Sequence, residues 1–311
     1  MLMQIVRDIR AGGLSLSGSV VTLGNFDGVH VGHQALLQNT IGDARAQNVP
    51  AVVFTFDPHP LRFFAPERAP KLLLAMDDKM ALFESAGIDL TVLQLFDAGF
   101  ANMAAVDFVR SVLLKDLKLR KIWAGRDLRF GKARLGTVDA LQVWGRELGF
   151  EVGTVDPVLI GGERVSSSRI RELIDAGRVD EAAPLLGRYH FVSGKVVAGA
   201  RRGRQLGFPT ANIESRTEVL PADGIYATFI EVAGQRWPSA SSIGHNPTFG
   251  AGPRTVETFI FDFDRDIYNQ EVKLCFVKRL RGEENFPSVE ALIGQIERDV
   301  SAAKAILTQG S

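Results

Sequence analysis

Gly24-Asn-Phe-Asp-Gly-Val-His-Val-Gly-His33 is the stretch on which the reading of this chain turns. It follows a short apolar run at 20–23 and precedes a segment with helical spacing at 32–47. The glycines at 24, 28 and 32 permit positive φ and close backbone approach. The helix start beyond them offers unpaired N–H groups and the positive end of a helix dipole. His30 and His33, three apart across Gly32, can converge on one phosphate-sized anion, because imidazoles donate hydrogen bonds and carry charge near neutral pH. These residues predict an anion site at a strand–helix junction. By themselves they do not name a reaction.

Outward from this stretch, short apolar runs at 20–23, 51–56, 90–95, 121–124 and 151–155 read as buried strands. Segments at 32–47, 76–86, 104–117 and 138–148 read as helices between them, which predicts an α/β layer with a parallel sheet. After about residue 187 the rhythm changes. Strand-like runs at 190–197, 225–232, 255–263 and 271–278 follow one another through Gly-, Pro- and Asn-rich connections, as in an antiparallel barrel or sandwich. Ser288 is placed to cap a final helix that carries Glu290 in its first turn. The expected division is 1–183 and 184–311, two unlike domains.

Lys and Arg together number 36, as do Asp and Glu, so no net field draws the chain to nucleic acid or an anionic membrane. No apolar run approaches the roughly 18 residues of a membrane span. The start lacks the apolar core of a secretory signal, and the single Cys275 cannot form an intramolecular disulfide. A cytoplasmic protein is expected, with nothing to fix its oligomeric state.

The opening stretch resembles the HxGH nucleotidyltransferase motif in the form found in prokaryotic FMN adenylyltransferases. That resemblance implies a Rossmann-like domain in which residues 24–28 (Gly24, Asn25, Phe26, Asp27, Gly28) cradle ATP, with His30 and His33 steadying its phosphates. An attacking phosphate would displace pyrophosphate with no side-chain nucleophile, by positioning and charge stabilisation. Phe54-Thr-Phe-Asp-Pro-His-Pro60 is similar to the family's flavin-side loop, which implies flavin contacts for Phe56, Pro58 and His59. Gly125-Arg-Asp-Leu-Arg-Phe-Gly131 resembles GxDFxFG and brings Asp127 to the nucleotide. Val165-Ser-Ser-Ser-Arg-Ile-Arg171 resembles ISSTxIR, implying an anion site of Ser166, Ser167, Ser168 and Arg171. Read without the family, the serines are an ordinary helix cap. Val31 stands where the family is often basic, and Leu128 replaces a usual Phe.

A second constellation is Gly199-Ala-Arg-Arg-Gly-Arg-Gln-Leu-Gly-Phe-Pro-Thr-Ala-Asn212. It is no Walker A loop. Thr210 and Asn212 offer two neutral oxygens to a Mg²⁺ that keeps waters and phosphate ligands, although an Arg-rich turn by itself is usually a solvated one. The string closely resembles the riboflavin kinase motif. That implies a compact β-barrel kinase with ATP at Gly199, Gly203, Arg204, Gly207, Phe208 and Pro209, and Mg²⁺ through Thr210 and Asn212. The match also makes Glu257 the general base, with Phe259 and Arg281 on the flavin side. Period-2 alternation puts Glu257, Phe259 and Phe261 on one strand face, and Phe259 stands where the family often has His. Taken whole, the chain resembles the bifunctional riboflavin kinase/FAD synthetases. The expected reactions convert riboflavin and ATP to FMN, then FMN and ATP to FAD and pyrophosphate.

Overall fold

The computed structural model describes residues 2–199, 203, 206–245 and 254–309. By internal contacts the chain forms two compact units, Met1–Lys71 with Met76–Val165, and Leu72–Ala75 with Ser166–Ser311.

In the first unit, β1 (Gln4–Arg7), β2 (Ser19–Leu23), β3 (Ala51–Asp57), β4 (Leu90–Leu95), β5 (Leu119–Gly125) and β6 (Glu151–Val155) form one sheet in the order β1-β4-β3-β2-β5-β6, every pair parallel. All five residues of β2 are buried, as befits a central strand covered on both faces. The helices are α1 (Val31–Ala46), the short α2 (Pro60–Phe64), α3 (Met76–Ala86), the short α4 (Ala98–Ala101) and α5 (Ala105–Asp107), and α6 (Val138–Leu148). The expected helix at 104–117 runs from α5 into a π-helical stretch, Phe108–Asp116, whose last bond joins the Leu117 N–H to the Val112 carbonyl. The expected strands are present. The edge strand β1 and the small hairpin of β7 (Leu159–Ile160) and β8 (Glu163–Arg164) had no sequence counterpart.

The second unit is a closed barrel in the order β10-β13-β12-β11-β14-β9. Its strands are β9 (His190–Val197), β10 (Thr210–Ser215), β11 (Gly224–Val232), β12 (Gln235–His245), β13 (Arg254–Ile260) and β14 (Glu271–Arg281), all antiparallel. Tyr226, Ile230, Ile243, Val256, Leu274 and Phe276 fill its interior. A terminal helix α9 (Val289–Gln309) lays Ala303 and Leu307 on an outer face made by Ala227, Ala240 and Phe261. Ser288 does cap it, its Oγ accepting from the Ala291 N–H at 3.2 Å.

The segment between is two helices, α7 (Ser167–Asp175) and α8 (Val179–Leu186), parted at Gly177, whose φ of 76° is left-handed. Val179 is fully buried in the barrel's core cluster. Residues 166–183 therefore go with the barrel by contact, although the division drawn from sequence falls after them.

Candidate active sites

The order of the first sheet reverses between β2 and β5: the chain leaves β2 toward β3 on one side and returns to β5 on the other. In open parallel sheets, ligands bind outside the carboxyl ends of the strands at that switch point. The turn 24–30 leaves β2 at this place, and Asp127 follows β5. The turn is tight. Gly28 has φ 81°, and Phe26 and Val29 are also left-handed at 51° and 40°, a conformation that L side chains adopt at a cost. Phe26, 1% exposed, fixes the turn from below, edge-on to His33 at 5.2 Å and to Phe83 at 5.6 Å.

His30 is the N-cap of α1, its Nδ1 accepting from the His33 N–H at 3.4 Å. In neutral His30 the proton then sits on Nε2, the donor form that a phosphate oxygen needs. The two imidazoles stack at 3.6 Å. A Cβ on Gly32 would lie 3.3 Å from the His30 ring, so a bare residue there lets the ring fold over the first turn. The pair expected from sequence is thus assembled at a helix N-terminus.

The flavin-side residues sit beside this turn. Phe56 is half-buried at the end of β3, among Phe54, Phe96 and Phe100. The Asp57–Pro58 peptide is cis. His59 caps α2 through Nδ1, and its Nε2 lies 3.1 Å from the Asn25 amide nitrogen. Asp127 is exposed and ion-paired with Arg164 of β8. Arg164 was not singled out in the sequence, although it stands two residues before Ser166. Ser166 caps α7 by accepting from the Arg169 N–H at 3.3 Å. With Ser167, Ser168 and Arg171 it belongs by contact to the second unit, so the first unit holds the histidines without them.

A lysine missed in the sequence lies under the same turn. Lys79 of α3 is 8% exposed, and its Nζ donates to the Asn25 carbonyl at 3.3 Å. Burial pushes its pKa down to about 8, a fall opposed by the carboxylates of Asp27 and Asp57.

In the barrel, Ala211 and Ile213 pack on the interior, which turns Thr210 and Asn212 outward on β10. Across the ladder Asn212 pairs with Glu257, and the Thr210 hydroxyl lies 3.4 Å from the Glu257 carboxylate. Val256, Thr258 and Ile260 face inward and are buried, leaving Glu257 and Phe259 on the outward face as the alternation predicted. Phe259, in the place of the family's frequent His, meets Phe208 edge-on at 5.4 Å. A side chain at Gly199 would run into the Asn212 carboxamide. The Gly203 carbonyl accepts from the Phe208 N–H at 2.8 Å, and Gly207 takes φ 85° just before it and Pro209. Arg204 lies outside the described residues.

The donor set suits Mg²⁺. Thr210 and Asn212 supply two neutral oxygens, and a cation that keeps waters and takes phosphate oxygens needs few protein ligands. Among the described residues no group of three His, Cys, Asp or Glu is placed to hold a metal. Arg281 has another engagement: its guanidinium grips Asp299 of α9 at 2.8–3.1 Å and donates to the Gly282 carbonyl at 2.9 Å.

A family model described as FAD synthetase matches residues 14–169, and one described as riboflavin kinase matches residues 186–307. The bifunctional riboflavin kinase/FMN adenylyltransferase of Escherichia coli K12 is 36% identical over 288 residues, 92% of each chain. That of Pseudomonas fluorescens is 37% identical over 305 residues, 98% of each. A crystal structure from Streptococcus pneumoniae, described as a macrolide-efflux protein, is 32% identical with a TM-score of 0.87, covering 98% of this chain and 99% of that one. Among the described residues no helix is long and apolar enough to cross a membrane.

Proposed function

This chain belongs to the bifunctional riboflavin kinase/FMN adenylyltransferase family, and from that premise we propose how its residues divide the two reactions. The enzyme phosphorylates riboflavin with ATP to FMN, and adenylylates FMN with a second ATP to FAD and pyrophosphate. In the proposed division, residues 1–183 carry the adenylyl transfer and residues 184–311 the kinase.

In the kinase half, Glu257 takes the proton of the ribityl hydroxyl, a poor nucleophile until it is deprotonated. Thr210 and Asn212 hold Mg²⁺, which when bound offsets charge on the ATP phosphates. Gly199, Gly203, Arg204, Gly207, Phe208 and Pro209 contact those phosphates, and Phe259 flanks the flavin. In the adenylyltransferase half no residue becomes covalently attached. His30 and His33 donate to the phosphates over the N-terminus of α1, and residues 24–28 shape the nucleotide seat. Asp127 and the serines with Arg171 complete the nucleotide contacts, and Phe56, Pro58 and His59 guide the flavin.

The observation that carries the reading is the single outward face shared by Thr210, Asn212 and Glu257, with 3.4 Å between hydroxyl and carboxylate. A Mg²⁺ titration of riboflavin phosphorylation tests it. Thr210→Ala and Asn212→Ala are expected to move the Mg²⁺ dependence to higher concentration; an unchanged dependence places the metal elsewhere. A cytoplasmic location is part of the proposal, since both reactions draw on ATP. Recovery of both activities in the cytosolic fraction of lysed cells checks it.

A further inference from the structure

Lys79 is the one Lys or Arg that is buried among the described residues. Burying an ammonium is expensive, and an apolar side chain of similar length would fill the same space without that penalty. Its place gives the reason for keeping it. On α3 it shares a face with Met80 and Phe83, which are buried, and Phe83 supports Phe26. From there Nζ reaches the carbonyl of Asn25, the residue before the left-handed Phe26. The Thr55 hydroxyl of β3 donates to the same carbonyl at 3.3 Å, so both lone pairs of that oxygen are taken. Asn25 in turn contacts His59. The charged groups facing Lys79 are Asp27, in the turn itself, and Asp57, which ends β3 within the flavin-side stretch 54–60. His30 and His33, beyond Phe26, are the other titratable groups of the turn and of the first turn of α1; Asp43 and Arg45, near the other end of α1, pair with Lys121 and Asp89.

We infer that Lys79 is a positioning residue for adenylyl transfer, its ammonium bonding one loop and attracting the next, so that the 24–28 turn and the 56–59 segment keep a fixed spacing. Phosphate-side and flavin-side groups must hold that spacing for in-line attack, and a misplacement near 1 Å can cost about a hundredfold in rate. The inference rests on the proposed adenylyltransferase reading. It adds a residue that acts through the backbone of Asn25 and the carboxylates of Asp27 and Asp57 without touching a substrate.

The function depends on the charge, so it is lost as pH rises through the lowered pKa of about 8. Three measurements on the full chain test it, each with FMN and ATP supplied and riboflavin phosphorylation followed as an internal control. Wild-type kcat for FAD formation is expected to fall above pH 8. Lys79→Met is expected to lower that kcat by about ten- to a hundredfold at pH 7 with a small change in KM for ATP. Lys79→Arg, charged throughout, is expected to keep part of the rate and lose the falling arm. A wild-type profile flat from pH 7 to 9.5 overturns the inference. So does Lys79→Met at the wild-type rate, or an arm retained in Lys79→Arg. If Lys79→Met does not fold, the wild-type and Lys79→Arg profiles still decide. A wild-type enzyme that makes no FAD from FMN at any pH refutes the underlying reading instead.

Discussion

In the sheet unit the candidate groups stand on a turn whose backbone is left-handed at Phe26 and Val29 and pinned from beneath by Phe26 and Lys79. In the barrel unit Thr210, Asn212 and Glu257 stand on regular strands, and ladder register alone sets their spacing. Each unusual backbone angle in the turn costs on the order of 1–3 kcal/mol and persists only where the surroundings over-determine it. The strand face stores no such strain. One site is held by what lies behind it and the other by pairing along its strands. Damage to the first should therefore spread through the loop, while damage to the second should stay with the side chain removed.

The sharpest way to break this comparison is Glu257→Gln, nearly isosteric and unable to accept a proton. It is expected to cut FMN formation by roughly 10²–10⁴-fold, the usual range for loss of a general base, with FAD formation from supplied FMN intact. A variant phosphorylating riboflavin at the wild-type rate, measured where chemistry limits turnover, removes Glu257 from the mechanism. His30→Ala should reduce FAD formation by about 10²–10³-fold, as for loss of a preorganised donor. It also removes the cap of α1, for about 1 kcal/mol of local stability, so the loss should include a rise in the KM for ATP. Unchanged FAD synthesis would end the phosphate role of His30.

Buried bases sharpen the contrast. His190 of the barrel is 2% exposed and donates from Nε2 to the Val219 carbonyl at 3.2 Å, and burial pushes its pKa down to about 4. The unfolded chain takes up a proton near pH 6.5 that the folded barrel refuses, so stability falls as pH drops from 6.5 toward 4. The loss is on the order of 3 kcal/mol by linkage. Lys79 titrates in the other window. Its folded pKa of about 8 lies below the unfolded 10.5, so its burial penalty is full below pH 8 and fades as pH rises toward 10.5. Urea unfolding should show Lys79→Met stabilised at pH 7 by on the order of 3 kcal/mol, the gain shrinking toward pH 10. His190→Gln should lose part of the acid slope. Equal slopes in variant and wild type would contradict these assignments. A stabilised but slower Lys79→Met would be a trade of rate for stability at the strained site and not at the strand face.

The smallest effect concerns the division of the chain. A fragment of residues 184–311 is proposed to fold and make FMN alone. It lacks Val179, whose burial in the barrel core is worth about 2 kcal/mol, so a fragment of 166–311 should melt higher. Equal melting temperatures would mean that α7 and α8 add nothing to the barrel.

The sheet was legible because parallel strands are apolar on both faces, as at 51–56. Two barrel strands were not. β12 carries Ser239 and Ser241 inward, where their hydroxyls bond Thr228 and Thr258 at 2.7–2.9 Å. That buried polar layer erases the apolar alternation that marks a strand. β10 carries the polar Thr210 and Asn212 outward, so two of its six residues are set by the proposed site and not by strand propensity. Of the proposed site, the histidines, Asp127 and the strand-face trio were candidates readable from motifs. Lys79 was hidden because a lysine in a helix reads as solvated. Its one signal was its position four residues before Phe83, on the apolar stripe of α3. Arg281 was readable as a motif residue, but its bond to Asp299 depends on a helix that returns from 18 residues away.

Mixing two impaired variants tests the central claim, that residues 1–183 carry the adenylyl transfer and residues 184–311 the kinase reaction. His30→Ala and Glu257→Gln are each incubated alone, then together, with riboflavin, ATP and Mg²⁺, and riboflavin, FMN and FAD are resolved over time. His30→Ala alone should accumulate FMN, Glu257→Gln alone should consume riboflavin at least about a hundredfold more slowly than wild type, and the mixture should produce FAD far faster than either. A mixture that makes FAD no faster than either variant alone, or a Glu257→Gln protein that converts riboflavin unaided at the wild-type rate, would contradict it.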